Sequence, residues 1–366
     1  KRTARRSAVA LDVQCIPGLE MRPCRSLAFR VWTVAAALCT LDLAVAKNDP
    51  HFLEGCGGWR HCLETQSGTK APLLWFETWN ATIQPKMDRL LETSRMQQEG
   101  WSKENGLLLV FSGDSTIIQQ FQVLSEFVTL RSDFHPVTGA DAERLQKYEL
   151  TFGGPRSTPG TVTLVFYRVF ETCVLAKENP HVQRAYAMYF GCGMHLLHLI
   201  PVQSPSLLQQ ALQRRDWAGY ETLLTQRIEG WRQANPDIRL IFMSTHAIDE
   251  SKYFGDWLHA LEGYKARNPV FLDSCKAKFD QALPADSPLR ANLEQACVDT
   301  VFGERGVELL NARGLAVMEK KGVALVPAHS VVAGQQWATP AADGRHYPYL
   351  VPLELFWLFN TLESLP

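Results

Sequence analysis

The fold is decided by an apolar run that ends in a small polar turn, Leu107-Leu108-Leu109-Val110-Phe111-Ser112-Gly113-Asp114-Ser115. Its pattern predicts a strand buried on both faces, with Ser115 just beyond the carboxyl end. Near the C-terminus, Asp343-Gly344-Arg345-His346 places an aspartate and a histidine three residues apart. A serine hydroxyl attacks a carbonyl only when a base takes its proton and a carboxylate orients that base. The two motifs supply all three residue types at the ends of predicted elements.

Further apolar runs, separated by helical patterns, predict the fold class. Residues 162–166, 187–190, 240–243 and 323–326 each read as a buried strand. Amphipathic patterns predict helices over residues 116–130, 206–233 and 285–312, and a last helix over 350–362. Strands alternating with helices indicate an α/β fold of three layers, α/β/α, around a mostly parallel sheet. In such sheets, sites form beyond the carboxyl ends of the strands.

The charge balance separates a basic N-terminal segment from the rest of the chain. The 366 residues contain 37 Lys and Arg against 38 Asp and Glu, a formal net charge of −1. No basic stripe with interleaved aromatics follows the N-terminal segment, which argues against nucleic-acid binding. We divide the chain into a leader at 1–46, an N-terminal cap segment at 47–104 and a catalytic domain at 105–366.

The leader has the features of a secretory signal. Residues 21–25 carry two arginines and form a positively charged segment, residues 31–41 are mostly apolar but too short to span a bilayer, and Ala44-Val45-Ala46 matches a cleavage signature. An uncleaved signal-anchor and a buried helix are the two alternatives. We therefore expect a location in the secretory pathway, either the Golgi lumen or outside the cell. Contact with a membrane is expected only if the leader remains as an anchor.

The cysteine count and one glycosylation sequon agree with that compartment. An even number of cysteines after a secretory leader predicts disulfide bonds. Cys56 with Cys62, and Cys275 with Cys297, are close enough in sequence to be local pairs. Asn80-Ala81-Thr82 is an acceptor for N-glycosylation. The six candidates for disulfide bonding are Cys56, Cys62, Cys173, Cys192, Cys275 and Cys297.

The placement of the two motifs resembles that of the SGNH/GDSL hydrolases. The whole pattern over residues 105–366 resembles their PC-esterase branch, which includes the trichome-birefringence-like proteins and related glycan O-acetyltransferases. Tyr189-Phe190-Gly191-Cys192-Gly193-Met194-His195 resembles a strand of that branch that ends in a Gly-x-His turn. The resemblance implies that Ser115 is the nucleophile, His346 the general base and Asp343 its orienting partner.

The resemblance implies that the protein is an O-acetyltransferase, which moves an acetyl group to a sugar hydroxyl through an acyl-serine. A carbohydrate acetyl esterase is the close alternative, because the same three residues serve both reactions. A catalytically inactive glycan-binding protein with the same fold is the alternative from another class, since fold alone does not fix function. The expected partners are a glycan or another acyl-ester substrate, and no cofactor is expected.

The resemblance leaves the oxyanion hole open, because this chain departs from the pattern there. Gly193-Met194-His195 stands where ordinary GDSL esterases have a Gly-x-Asn-Asp block, and residues 116–120 lack an arginine that this branch often carries. The candidate donors are the N–H groups of Ser115 and Gly193 and the side chain of His195.

Three residues flanking or within the histidine motif, Trp337, Arg345 and Tyr347, are candidates for substrate binding. The two aromatic rings are candidates to stack on a sugar.

Other histidines and cysteines have simpler interpretations. His195 and His198 lack a third ligand at a recognisable spacing, so we predict no metal site. Cys192 fits a disulfide better than a nucleophile in a chain with a secretory leader. His246 follows a predicted strand and is either a structural histidine or a neighbour of the site.

Overall fold

The structure is a computed structural model in which the described residues are 79–100, 106–130, 137–138, 147–153, 160–169, 175–191, 197, 217–253, 255–283, 285–335, 338–339, 343–347 and 350–365. The predicted leader and the predicted pair of Cys56 with Cys62 lie outside them, as do Cys173 and Cys192. The backbone of the Asn80 sequon is described, in a π-helical turn, Trp79–Ile83.

A seven-stranded sheet forms the centre of the described fold. Its strands are β1 Leu107–Gly113, β2 Val137–Thr138, β3 Lys147–Gly153, β4 Thr161–Arg168, β5 Ala187–Gly191, β6 Arg239–Met243 and β7 Ala324–Val326. Their order is β2-β3-β4-β1-β5-β6-β7. The five strands β4, β1, β5, β6 and β7 are parallel, and β2 and β3 extend one edge in antiparallel pairing. The predicted mostly parallel sheet is confirmed, while the two antiparallel strands were not predicted.

Helices cover both faces of this sheet. Those described are α1 Gln84–Gly100, α2 Ser115–Leu130, α3 Pro180–Arg184, α4 Trp217–Ala234, α5 Gly255–Lys265, α6 Pro269–Ala282, α7 Leu293–Asp299, α8 Glu304–Lys321, α9 Ala328–Val332 and α10 Val351–Ser364. The predicted helices over 116–130 and 350–362 correspond to α2 and α10. The prediction over 206–233 corresponds to α4 from residue 217 onward, and its earlier part lies outside the described residues.

The alternation of side chains along β1 explains the three layers. Leu109 and Phe111 pack on one face with α1, α2 and α10, whereas Leu108 and Val110 pack on the other with α3, α4 and α8. Every residue of β1 is buried, which is why its sequence is continuously apolar rather than alternating. Helix α1 belongs to the same layer as α2 and α10, so this part of the predicted cap segment contributes directly to the core.

The prediction of one helix over 285–312 is wrong. The segment forms a 3-10 turn, Pro288–Asn292, followed by α7 and α8, with a break between residues 299 and 304. At the break, the Thr300 hydroxyl donates to the Ala296 carbonyl at 2.7 Å. The Glu304 N–H donates to Glu250 Oε1 at 2.9 Å, so a side chain from a distant segment caps the start of α8. That long-range contact has no local sequence signal.

A separate apolar cluster builds the helical segment between β6 and α8. It is formed by α5, α6, α7 and the chain around Tyr253 and Phe302. The disulfide Cys275–Cys297 joins α6 to α7 with a Cα separation of 6.1 Å, and this confirms the predicted local pair. Both cysteines are fully buried. Among the described residues, no helix combines the length and apolar character needed to cross a bilayer.

Candidate active site

Ser115 begins α2, two residues beyond the end of β1. The chain reaches β4 on one side of β1 before it crosses to β5 on the other, so Ser115 lies at a topological switch point, where sheets of this kind leave a crevice. Asp114 caps the helix, since its Oδ1 accepts from the Thr116 N–H at 2.9 Å and from the Thr116 hydroxyl at 2.6 Å. A Cβ on Gly113 would lie 2.7 Å from Ile117 Cδ1, so glycine allows α2 to close over the strand end.

The turn at residues 343–347, directly before α10, carries the other half of the site. Gly344 has φ +74°, and a Cβ there would lie 2.3 Å from the Asp249 carbonyl oxygen. The Asp249 N–H donates to the Gly344 carbonyl at 2.7 Å, and the Gly344 N–H donates to Thr339 Oγ1 at 3.1 Å. Both the left-handed backbone and the close approach require glycine here. The turn is therefore held against the segment that follows β6.

The structure brings Ser115, His346 and Asp343 into one hydrogen-bonded chain. His346 Nε2 lies 2.7 Å from Ser115 Oγ, and His346 Nδ1 lies 2.7 Å from Asp343 Oδ2. An ionised carboxylate only accepts, so the bonding assigns the imidazole proton to Nδ1. Nε2 is then the acceptor for the Ser115 hydroxyl. This tautomer is the one that takes a proton from a serine nucleophile.

Charges around Asp343 keep its carboxylate ionised. Its Oδ1 accepts from the Arg345 N–H at 3.3 Å and lies 3.4 Å from Arg345 Nε, while Oδ2 faces His346. Burial alone would raise the pKa of the Asp343 carboxyl, but the hydrogen bond and charge of His346 and the charge of Arg345 outweigh it and lower that pKa. Asp343 is thus held in the form that stabilises an imidazolium at position 346.

Two of the predicted substrate-binding residues, Tyr347 and Arg345, are among the described residues. Tyr347 is 2% exposed, with its ring edge-to-face against the His246 ring at 5.6 Å between centroids. A ring packed in this way leaves no face for a sugar, so its predicted stacking role is wrong. Arg345 directs its guanidinium to Asp343, as described above, and its side chain is 27% exposed.

The remaining site predictions lie outside the described residues. These are the oxyanion-hole candidates Gly193 and His195 and the predicted stacking residue Trp337. The backbone N–H of Ser115, the third oxyanion candidate, lies in the first turn of α2, where N–H groups have no acceptor within the helix. In the described part of the chain, no group of three His, Cys, Asp or Glu side chains has a metal-binding arrangement.

Sequence reasoning missed two polar residues behind the site. Gln120 and Glu354 are both fully buried and lie on α2 and α10, the helices that follow the two motifs. They contact each other and lie next to His246, which is also fully buried. The available signal was an amide and a carboxylate on the apolar faces of otherwise core-forming helices, because such groups are rarely buried without partners.

Comparison with known proteins gives a distant likeness of fold. An extracellular lipase from Streptomyces rimosus matches with a TM-score of 0.34 and 9% sequence identity, over 70% of this chain and 98% of the lipase chain. No protein-family model and no curated protein matches the chain. A likeness at that TM-score says nothing about activity.

Proposed function

We propose that the protein is a serine-dependent acyl-ester enzyme that acts on glycans and moves an acetyl group to a sugar hydroxyl through an acyl-serine. The observation that carries the ester chemistry is the unbroken chain from Asp343 to His346 to Ser115, with two contacts of 2.7 Å. The acetyl group and the sugar acceptor are supported by the resemblance to the PC-esterase branch. No step of the mechanism requires a cofactor.

The first half-reaction forms the acyl-serine. As Ser115 Oγ attacks the acyl carbonyl carbon, its proton passes to His346 Nε2, and the carbonyl oxygen becomes an oxyanion. Asp343 accepts from His346 Nδ1–H and stabilises the imidazolium that forms. When the tetrahedral intermediate collapses, the bond from the carbonyl carbon to the donor's leaving oxygen breaks. That oxygen takes the proton from His346 Nε2, which leaves an ester on Ser115 and a neutral imidazole.

The start of α2 is the source of oxyanion stabilisation that the described residues offer. Ser115 is the first residue of a 16-residue helix, so its N–H and the positive end of the helix dipole lie beside the reacting carbonyl. A preorganised N–H of this kind typically contributes a factor of about 100 to 1000 in rate. In the proposed mechanism this group acts in both half-reactions.

In the second half-reaction, the acceptor hydroxyl loses its proton to His346 Nε2 and attacks the acyl-serine. Collapse returns a proton to Ser115 Oγ and releases the acetylated sugar. Water in place of the sugar gives hydrolysis by the same steps. The outcome depends on which nucleophile the cleft admits, and Ser115 is partly exposed to solvent on the free protein.

The test is mass spectrometry of the full chain after brief exposure to an activated acetyl ester. We expect one acetyl group on the wild type, mapped by proteolysis to the peptide containing Ser115, and none on Ser115→Ala. Ser125→Ala is the matched control, because Ser125 lies on the same helix and its hydroxyl donates to the Phe121 carbonyl at 2.7 Å. It should acylate like the wild type.

Competition between a saccharide and water for the acyl group then separates transfer from hydrolysis. Acetylated saccharide as the main product would support a transferase. Free acetate as the only product at a saturating concentration of saccharide would show that the enzyme is an esterase. If neither wild type nor Ser125→Ala acquires an acyl group or turns over an ester, the proposed nucleophile is wrong. Measured glycan binding without turnover would favour an inactive glycan-binding protein.

A further inference from the structure

Behind the candidate active site lies a set of three polar side chains, Gln120, Glu354 and His246, which we call the buried brace. All three have no exposed surface. They come from three different elements, α2, α10 and the segment after β6. Nothing in the ester chemistry proposed above uses them. Buried polar groups of this kind carry a desolvation cost that only well-placed partners offset, so their arrangement calls for an explanation.

The three side chains of the buried brace form a series of contacts. Gln120 Nε2 donates to Glu354 Oε2 at 2.6 Å. Glu354 Oε1 lies 2.7 Å from His246 Nε2. His246 Nδ1 lies 3.1 Å from the carbonyl oxygen of Arg345. The series therefore runs from α2 through α10 to the backbone of the turn at 343–347.

Proton positions follow from what each partner can do. A carbonyl oxygen only accepts, so His246 Nδ1 carries a proton and donates it to Arg345. His246 Nε2 faces Glu354 Oε1 at ion-pair distance. Burial alone would lower the pKa of His246, but the charge and contact of Glu354, the Arg345 carbonyl and the Asp114 charge together raise it. This favours an imidazolium paired with a carboxylate, which is neutral as a unit and therefore tolerable in the interior.

The two ends of the buried brace lie on the two halves of the candidate triad. Gln120 is five residues after Ser115 on the same helix. The Arg345 carbonyl is in the peptide that joins residues 345 and 346, so a bond to it fixes the backbone that carries His346. The two halves are 228 positions apart in the sequence and meet only through tertiary contacts. A misplacement of about 1 Å between reacting groups costs on the order of 100-fold in rate.

We propose that Gln120, Glu354 and His246 are positioning residues that fix the distance between Ser115 Oγ and His346 Nε2. The inference rests on the proposed function for its kinetic consequence, but not for its structural one. The brace touches no substrate in this proposal. It acts by fixing the position of helix α2, which carries Ser115, relative to the turn that carries His346.

The first test compares steady-state kinetics of Glu354→Gln with those of the wild type, on an activated acetyl ester. Glu354→Gln keeps the side-chain shape and removes the charge that pairs with His246. We expect kcat to fall about 10- to 100-fold with KM unchanged, because the loss is in alignment and not in substrate binding. Gln120→Met, which keeps a similar shape without the amide donor, should lower kcat in the same direction.

Ser94→Ala is the matched control for these variants. Ser94 is also fully buried and also links a helix to the sheet, but it lies at the opposite end of β1, where it bonds the backbone of Leu107 and Thr161. It should leave kcat unchanged. In a Ser115→Ala background, Glu354→Gln should cause no further loss of residual turnover, because positioning residues act only through the triad.

The second test does not depend on catalysis. The proton between His346 Nδ1 and Asp343 is expected as a low-field resonance in the NMR spectrum of the full chain, assigned by its loss in His346→Ala. We expect the resonance to persist in Ser94→Ala and to broaden or disappear in Glu354→Gln and Gln120→Met. If either brace variant fails to fold by circular dichroism, the other carries the test.

The outcomes separate the two proposals. Wild-type kcat and an unchanged resonance in a folded Glu354→Gln would overturn the brace, whatever the substrate. If the wild type turns over no acyl ester while the resonance responds to Glu354→Gln, the brace stands and the proposed function falls. A fall in kcat that is matched in Ser94→Ala would mean general destabilisation and would also overturn the brace.

Discussion

Buried polar side chains link helices and turns to the central sheet at both of its ends, but the side chains differ in type between the two ends. At the amino end, the Ser94 hydroxyl of α1 donates to the Thr161 carbonyl at 2.5 Å and accepts from the N–H groups of Leu107 and Thr161, each at 3.2 Å. At the carboxyl end, the links between helices, strands and turns use ionisable side chains, His246 and Glu354. A neutral hydroxyl is sufficient to satisfy buried backbone groups. Ionisable side chains, which are costlier to bury, are concentrated beside the triad.

The largest expected effect is a loss of ester turnover when His346, at the carboxyl end, is removed. His346→Ala removes the acceptor for the Ser115 proton and the bond to Asp343. We expect ester turnover to fall by a factor of about 10⁴ to 10⁶, as when other members of such triads are removed. Initial-rate kinetics on an activated ester measure it, with the thermal midpoint as a check of folding. A folded His346→Ala with more than about a tenth of wild-type kcat would rule out His346 as the base.

A smaller effect is expected from Gly344→Ala, which distorts the turn but keeps the side chains of Ser115, Asp343 and His346. The new Cβ would meet the Asp249 carbonyl oxygen at 2.3 Å in a backbone with φ +74°. We expect a loss of about 1–3 kcal/mol in the free energy of unfolding from strain, and a kcat about 100-fold lower as Asp343 and His346 shift. Denaturant unfolding and kinetics on the same preparation measure both.

Gly334→Ala is the control for Gly344→Ala, because Gly334 also has a positive φ, +75°, but a Cβ there meets nothing within 4 Å. It should lose stability through backbone strain alone and keep its kcat. Equal kinetic losses in both variants would show that the close approach to Asp249 does not position the turn.

At the amino end, Ser94→Ala is expected to change stability and leave activity intact. The substitution removes three hydrogen bonds and leaves buried backbone groups of Leu107 and Thr161 to find other partners. We expect a loss of about 1–3 kcal/mol in the free energy of unfolding. Urea unfolding followed by circular dichroism measures it, beside kcat for the activated ester. A fall in kcat at a temperature where the variant is fully folded would contradict the separation of the two ends.

The centre of the sheet and the position of Ser115 at a strand end could be predicted from the sequence for the same physical reason. Buried strands at the centre of a sheet are mostly apolar, so β1, β4, β5 and β6 stand out in the sequence, and Ser115 follows the first of them. The prediction of a buried strand over 323–326 is wrong in part, because Leu325 of β7 is exposed. The antiparallel edge was missed because Lys147, Glu149 and Thr151 interrupt the apolar pattern of β3. β3 is second from the edge of the sheet, and its pairing depends on partner strands that local sequence does not identify.

The features missed around the site depend on contacts between distant segments. Tyr347 was predicted to face a sugar because it is an aromatic beside the histidine motif, but its ring packs on His246. The partnership of Gln120 with Glu354 joins residues 234 positions apart, and neither has a partner within its own helix that would reveal it. Local patterns report burial and periodicity, whereas the identity of a buried polar partner is set by the tertiary fold.

The smallest expected effect is a dependence of stability on pH that belongs to the carboxyl end alone. The pKa of Asp343 is lowered in the folded protein, so ionised Asp343 contributes stability above its unfolded pKa of about 3.9. That contribution is lost as pH falls through the lower folded value. The difference in unfolding free energy between wild type and Asp343→Asn should therefore be fully present at about pH 5. It should shrink below about pH 4, at no more than about 1.4 kcal/mol per pH unit for a single group.

Denaturant unfolding from pH 3 to pH 6 provides this measurement, with Asp273→Asn as the control for loss of a carboxylate charge, since the Asp273 side chain is 70% exposed. His346 and Arg345 face Asp343 within the turn, and Tyr253 lies near it from the segment after β6. Of these groups, Asp343 is the one whose pKa the fold lowers, so the change in slope is assigned to its carboxylate. A difference that grows on acidification would mean that burial outweighs His346 and Arg345 at Asp343, and that its carboxylate is not the form that the fold stabilises.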